Sequence, residues 1–494
     1  MKKTIFLLTI LSLVALPMAA NAAVSSPTTP GAIEFTLGGY VKMETDWDST
    51  QMNKNMTNPV LRNNDPNFQH GRLKFTANST RFNLNFKGPK LWGAQVSGLI
   101  EIDFDANGNS LCTPAAPTLA ADTTQLGALR MRHAMFRLNW PETELLLGQY
   151  WGFFSEFTPE TANDSGCQFV GSATHRPPQI RVTQKFLGAY TVSFMVAAPT
   201  NMLDQTTWNA QASPANNLSP GESAESPMLQ GKLGFEQDLW GKAAFYGVPR
   251  GFVAQVAAAW QRTRYRSFAF PGTGLGTWGQ NQFGAVIGSQ PNQQYLNPWM
   301  VQGSLFIPLI PTYSANLAGT ASISTQWYVG EGLDAFGEAI ANNASFFTWT
   351  SGPAGALAQF DRQLVKRYGG FVQGQYYFTN QWFLNAVWGM SKAFDVPQDR
   401  DPTLVTGNNP GGYKIALPAD LYKFWQEYNL TLWYRPITAL KFGLQYSYAK
   451  TDWFQKTGNN PALPVGGVGA TIPGQRVTGI GENHRVMFAG FFYF

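Results

Sequence analysis

Apolar and polar residues alternate one by one through much of this chain. Tyr190, Val192, Phe194 and Val196 fall on one side of an extended segment, with Thr191 and Ser193 on the other. Leu440, Phe442, Leu444, Tyr446 and Tyr448 likewise oppose Lys441, Gly443, Gln445 and Ser447. Strand side chains point alternately to opposite faces, so this period of two predicts strands with one apolar and one polar face. The alternation also runs through 317–327, 382–392 and 430–434. A tilted strand needs about ten residues to cross a bilayer, which is the length of these segments. The pattern predicts sixteen strands: 33–44, 71–87, 94–105, 129–140, 144–150, 178–187, 190–199, 228–236, 251–262, 297–307, 316–328, 367–378, 381–392, 422–434, 439–449 and 484–494.

The connections alternate in length. Tight turns fall at 88–90, 141–143, 187–188, 379–380 and 436–438. Long segments rich in Gly, Pro, Asn and Ser occupy 45–70, 106–128, 151–177, 200–227, 263–296, 329–366, 393–421 and 450–483. Short periplasmic turns opposite long extracellular loops predict an all-β, sixteen-stranded antiparallel transmembrane β-barrel, closed so that lipid meets no unpaired backbone. A soluble sandwich or propeller has no reason to keep that asymmetry. Trp92, Trp140, Trp240, Trp382, Trp433 and Tyr434 flank the short turns, where an interfacial aromatic belt is expected.

At the end of the chain, Val486, Phe488, Phe492 and Phe494 share one face. This stretch is expected to be the last strand, closing against 33–44, where Phe35, Leu37 and Val41 offer an apolar face. At the start, Lys2 and Lys3 precede an apolar run over 4–17 and the small-residue pattern Ala20-Asn21-Ala22. That run is too short to span ~30 Å of hydrocarbon as a helix. It predicts a secretory signal over 1–22, cleaved near Ala22, with the barrel over 23–494.

Composition agrees. Charged residues make up 13% of the chain, against about 25% in soluble domains, while aromatics reach 14% with 16 Trp and 36 Phe. A secreted chain of this kind must hide aromatic surface, and outer-membrane lipid is the partner that covers it. The formal charge of +5 falls to +3 when Lys2 and Lys3 leave (5 − 2), and no basic run occurs, which excludes a nucleic-acid partner. Cys112 and Cys167 both lie in loop-like segments of an exported chain. One disulfide joining two loops is the favoured reading, two free thiols the other. Two Cys and 4 His leave no ligand spacing for a metal, and no cofactor motif is present.

The polar faces carry the candidate chemistry. Glu101, Asp103 and Asp105 share one face of the third strand with Ser97 and Leu99. The fourth strand offers Arg130 and Arg132 and, past a register change, Arg137. The second brings Arg72, Lys74 and, after a bulge near Ser79, Arg81; the sixth brings Arg181. An Arg or Lys in mid-membrane lipid costs about 2–4 kcal/mol, so these charges are expected to face the lumen. They read either as a constriction that sorts solutes by charge or as a paired ladder bracing one wall. The loop over 151–177 holds Phe153, Phe154 and Phe157 with Glu156, Glu160 and Asp164. Its aromatic density suits a loop folded into the barrel, with its acids edging the passage; an outward cap is the alternative.

Four motifs in order carry a resemblance: Thr80-Arg81-Phe82; Glu101-Ile102-Asp103-Phe104; Arg130-Met131-Arg132-His133-Ala134; and Gly148-Gln149-Tyr150-Trp151-Gly152-Phe153. This first third of the mature chain resembles DcaP-type outer-membrane porins. The C-terminal Phe494 after alternating aromatics likewise resembles the insertion signal of bacterial outer-membrane proteins. The family implies a homotrimer that passes small hydrophilic solutes, with an arginine-rich eyelet favouring anions such as small organic acids. On this chain it implies Arg81, Arg130 and Arg132 as pore-lining, with Glu101 and Asp103 as counter-charges. The family's N-terminal helical segment has no counterpart in 23–31, so a trimer would rest on the barrel wall. A plugged structural or adhesive barrel is the alternative. A channel for long apolar substrates would want a greasy inner wall, which the sequence does not show. A barrel enzyme would need a nucleophile beside a base, and His70, His133, His175 and His484 sit in no such spacing.

Overall fold

A computed structural model describes residues 33–50, 52, 60, 70–105, 127, 129–163, 169–199, 224–267, 292–337, 340, 345–350, 359–396, 413–416, 421–454 and 479–494. The predicted signal segment, Cys112, Asp164 and Cys167 lie outside the described residues.

Sixteen antiparallel strands close into one barrel: β1 Glu34–Asp48, β2 in two pieces (Arg72–Thr76 and Arg81–Leu91), β3 Ala94–Asp103, β4 Arg130–Asn139, β5 Thr143–Gln149, β6 Pro178–Phe186, β7 Tyr190–Ala197, β8 Met228–Gln237, β9 Phe252–Trp260, β10 Trp299–Ile310, β11 Ala321–Glu331, β12 Lys366–Tyr377, β13 Trp382–Phe394, β14 Tyr422–Ile437, β15 Leu440–Trp453 and β16 Ile480–Tyr493. Each pairs with its neighbours in sequence, and β16 pairs with β1. Closure removes the sheet edge that lipid could not satisfy.

The alternation works as the pattern demands. Val41, Met43 and Trp47 of β1 and Val486, Phe488 and Phe492 of β16 are exposed outside, while Lys42, Asp46, Met487 and Ala489 are buried inside. The seam runs from Tyr40 opposite Tyr493 to Asp48 opposite Arg485. Only Val41 of the three apolar β1 residues meets β16; Phe35 and Leu37 lie opposite Phe86 and Leu84 of β2 instead. The switch falls at Gly39, with φ +148°. A Cβ there would come 2.2 Å from the Arg81 carbonyl oxygen, so the backbones approach closely only because glycine occupies the site.

Two irregularities re-aim side chains. β2 breaks at 77–80, where Thr80 N–H donates to the Ala77 carbonyl, and this turns Arg81 inward. In β4 the pairing slips between Glu101 and Ile102, so the adjacent Arg132 and His133 are both buried in the lumen. A bulge of this kind commonly re-aims functional side chains.

Two sequence expectations are corrected. Trp433 is not in the aromatic belt: it is fully buried inside the barrel, with Lys441 Nζ 3.8 Å from its ring centre. Its neighbour Tyr434 does belong to the belt, stacked 4.3 Å from Trp382 on the outer face. The periplasmic connections are also not uniformly short. Between β8 and β9 the chain forms a small hairpin, Ala243–Phe245 paired with Val248–Arg250, that folds up into the barrel.

Candidate pore: a charged wall facing an inserted loop

The inner wall from β1 to β6 carries a series of ion-pair clusters, joined at the seam by Arg485 of β16. Asp48 accepts from Arg485 at 2.8 Å and from Arg72 at 2.8 Å. Arg130 is bidentate on Asp103, at 2.9 and 2.6 Å, and lies 3.6 Å from Asp105. Arg132 bridges Glu101 at 2.7 Å and Asp103 at 2.8 Å. Glu144 joins Arg137 at 3.1 Å and Arg181 at 3.0 Å. Lys74 lies opposite Asp46, and the Arg81 guanidinium sits 5.3 Å from the Tyr40 ring centre. The wall therefore gathers the strand residues expected from sequence: Arg72, Lys74, Arg81, Glu101, Asp103, Asp105, Arg130, Arg132 and Arg181. It also holds Lys42, Glu44, Asp46, Asp48, Glu144 and Arg485, which the sequence reading missed. The β1 charges were legible: Lys42 and Glu44 alternate with Val41 and Met43 inside the predicted strand, and Asp46 and Asp48 continue the pattern beyond its predicted end at 44.

The network is layered. Down the wall, Arg72 is 20% exposed, Arg130 11%, Arg137 16% and Lys87, at the periplasmic end, 60%. The acids paired with the three arginines, Asp48, Asp103 and Glu144, are each 1% exposed or less. At these three pairs the base stands toward water and the acid behind it, whereas Arg132 lies deeper than its partner Glu101, 1% exposed against 11%. Below, Asn83, Asn85, Ser97 and Asn139 line a half-buried vestibule.

Loop 3, the connection from β5 to β6, crosses the lumen and docks on the opposite wall. Phe153 N–H donates to Gln230 of β8 at 3.1 Å, Gln302 of β10 donates to the Phe154 carbonyl at 3.2 Å, and Glu160 N–H donates to Gln373 of β12 at 2.7 Å. Asn385 of β13 donates to the Glu160 carbonyl at 2.9 Å. At the far end Ala162 N–H donates to Gln445 of β15 at 2.7 Å, and the Ala162 carbonyl accepts from Lys42 of β1 at 2.8 Å. The inward fold is as expected, but its acids face the wall rather than the passage. Glu156 pairs with Lys232 and accepts from Gln255 at 2.8 Å; Glu160 pairs with Lys441 and accepts from Gln375 at 2.8 Å. Burial alone would raise these two carboxyls, but the facing Lys232 and Lys441, the nearby Arg250 and Arg435 and the hydrogen bonds they accept together outweigh it and hold both below the usual carboxylate range.

Behind the loop the lumen is packed. Tyr377 stacks on Phe383 at 4.5 Å, and Phe383, Trp433, Phe491 and Tyr493 continue the row toward Tyr40. An aromatic inner wall does exist, contrary to the sequence reading, and it is buried. The sequence hid it because inward aromatics such as Trp433 and Phe491 adjoin outward ones and blur the alternation.

This architecture matches that of a known channel. The crystal structure of the outer membrane channel DcaP of Acinetobacter baumannii superposes with a TM-score of 0.59, at 14% identity, over 95% of this chain and 100% of that one. The chain is a DcaP-like barrel in fold. OprB of Pseudomonas putida gives 0.49 at 10% identity over 93% of this chain and 94% of that one. OmpT of Vibrio cholerae gives 0.48 at 10% identity over 96% and 100%. No family model and no curated protein sequence matches. The barrel brings the resembling motifs together: Arg81, Glu101, Asp103, Arg130 and Arg132 form one contiguous patch of wall. The last motif leads from β5 into loop 3, whose Trp151 carries the Arg176 guanidinium 4.8 Å from its ring centre.

Proposed function

We propose that this barrel is an outer-membrane porin: a narrow, passive path for small hydrophilic solutes with a preference for anions such as small organic acids. The layering of the wall carries the reading, since Arg72, Arg130 and Arg137 meet the water while their partners Asp48, Asp103 and Glu144 are buried behind them. A fixed positive edge in a confined, low-dielectric passage favours anions over cations. Arg72, Arg81, Arg130 and Arg137 line the path; the buried Arg132 and Arg181 hold the acids in place. No energy coupling is needed, because solutes move down their gradient. A homotrimer seated in outer-membrane lipid belongs to the same proposal, supported by the motif resemblance and the apolar outer face.

The packed rear half of the lumen favours a second reading, a sealed structural barrel. Purified protein in planar lipid bilayers separates the two. The porin gives discrete conductance steps and, under a potassium chloride gradient, a reversal potential displaced toward chloride. A silent membrane supports the sealed barrel, and steps with a potential displaced toward potassium remove the anion preference.

A further inference from the structure

The inserted loop does not rest on the barrel wall alone. The Ala243–Arg250 hairpin enters from the periplasmic side and meets it from below. Phe245 packs edge-on against Phe157 of loop 3 at 5.6 Å and against Phe306 of β10 at 5.3 Å. Tyr246 lies within hydrogen-bond reach of the Thr158 side chain, Oη to Oγ1 2.8 Å. Arg250 covers both aromatic rings, 4.8 Å from Phe245 and 5.3 Å from Phe157, and is itself held by Glu236 at 3.0 Å.

The hairpin is fixed in turn by the rear wall. Ser322 of β11 donates to the Ala244 carbonyl at 2.9 Å, and Lys242 bridges to Thr312 in the next periplasmic connection. Its tip, Tyr246-Gly247, reaches β14, where a Cβ on Gly247 would come 2.5 Å from Arg435 Nη1. With φ +80° that residue turns the hairpin tightly under the loop. Ala243, Ala244 and Phe245 are buried. A periplasmic turn need only reverse the chain, and two residues suffice for that. This connection instead spends an apolar tip inside the lumen.

We infer that this hairpin is a seat for loop 3: Phe245 and Tyr246 are positioning residues that hold the loop against the β8–β14 wall and confine the open lumen to the charged side. The seat itself stands on the packing; its effect on bore rests on the channel reading. Seat and wall bonds share the load, so losing the seat loosens the middle of the loop while its wall bonds and its tip at Ala162 remain.

Ser155→Cys at this buried position, in a full-length chain whose native cysteines are replaced by serine, reports the loop directly. Local opening governs how fast a buried thiol reacts, so removing the seat contacts raises the labelling rate by roughly tenfold or more. The double variant Phe245→Ala, Tyr246→Ala is expected to label at that faster rate. Phe245→Leu, which keeps a large apolar tip, stays near the parent rate, and the heat-induced gel shift confirms that each barrel is folded. Equal labelling of parent and double variant overturns the seat. So does equal labelling of the double variant and Phe245→Leu, which would mean that tip packing is immaterial. Parallel bilayer recordings keep the two readings apart: a silent parent sinks the channel, whereas the labelling result judges the seat by itself.

Discussion

At the scale of single residues, position in the layered wall decides what an arginine does. Arg137 is among the bases that meet water, and its partner Glu144 keeps Arg181 if Arg137 is removed. Arg137→Gln is therefore expected to fold normally and to move the reversal potential toward that of an unselective pore. Arg132 is buried, and it clamps both Glu101 and Asp103. Deleting one side of a buried, hydrogen-bonded ion pair destabilises by about 3–5 kcal/mol, because the remaining charge stays desolvated. Arg132→Ala should lower the temperature of the heat-induced gel shift well below that of Arg137→Gln. Equal behaviour of the two variants would contradict the layering. Both residues stood out in the sequence as inward bases. Their division of labour did not, because alternation reports the face of a strand and not the depth of a side chain within a network.

Among the elements, loop 3 couples the barrel to pH. Glu156 and Glu160 are both held below the ordinary carboxylate range on their lysine partners. A carboxyl with a lowered folded-state pKa stabilises above its unfolded value, and that stabilisation is lost as pH falls through the folded value. The docked loop is thus fully held at neutral pH and loosens as pH falls below the ordinary glutamate value of about 4.3. Single-channel traces taken from pH 7 downward should stay quiet to about pH 4.5 and then flicker increasingly, by linkage. Noise that rises instead on the alkaline side would remove these two carboxyls as the cause. The loop's inward fold was legible from Phe153, Phe154 and Phe157. The direction of its acids was not, since the lysines that draw them to the wall, Lys232 and Lys441, sit on strands far along the chain. The periplasmic hairpin was invisible for a related reason: 237–250 has turn-like composition, and only the fold shows that it points inward.

For the whole molecule, the strand count and the closing partner could be read from a period of two, because a barrel repeats one simple rule at every strand. The same rule sets its tolerance. Phe488 is exposed on the lipid-facing side of the closing strand, whereas Asn85 faces the half-buried vestibule. Phe488→Arg should lower the stability of the folded barrel by about 2–4 kcal/mol if it lies near the bilayer midplane, while Asn85→Arg meets water. Unfolding in urea from lipid vesicles, compared for the two variants, checks this; equal midpoints would place Phe488 away from lipid.

The tip of loop 3 ties the two ends of the chain together. Ala162 bonds at once to Lys42, 120 residues back, and to Gln445, 283 residues ahead. Contacts so distant in sequence must wait for the loops between them to close, so they form late. Lys42 lies on the first strand, and Gln445 lies on the strand that the last one must join. The strap can be tied at both points only when the cylinder is nearly complete. That final tie is then a built-in mark of finished assembly: while the seam is open, the loop can lie on β8 to β13, but its tip cannot bridge the first strand to the fifteenth.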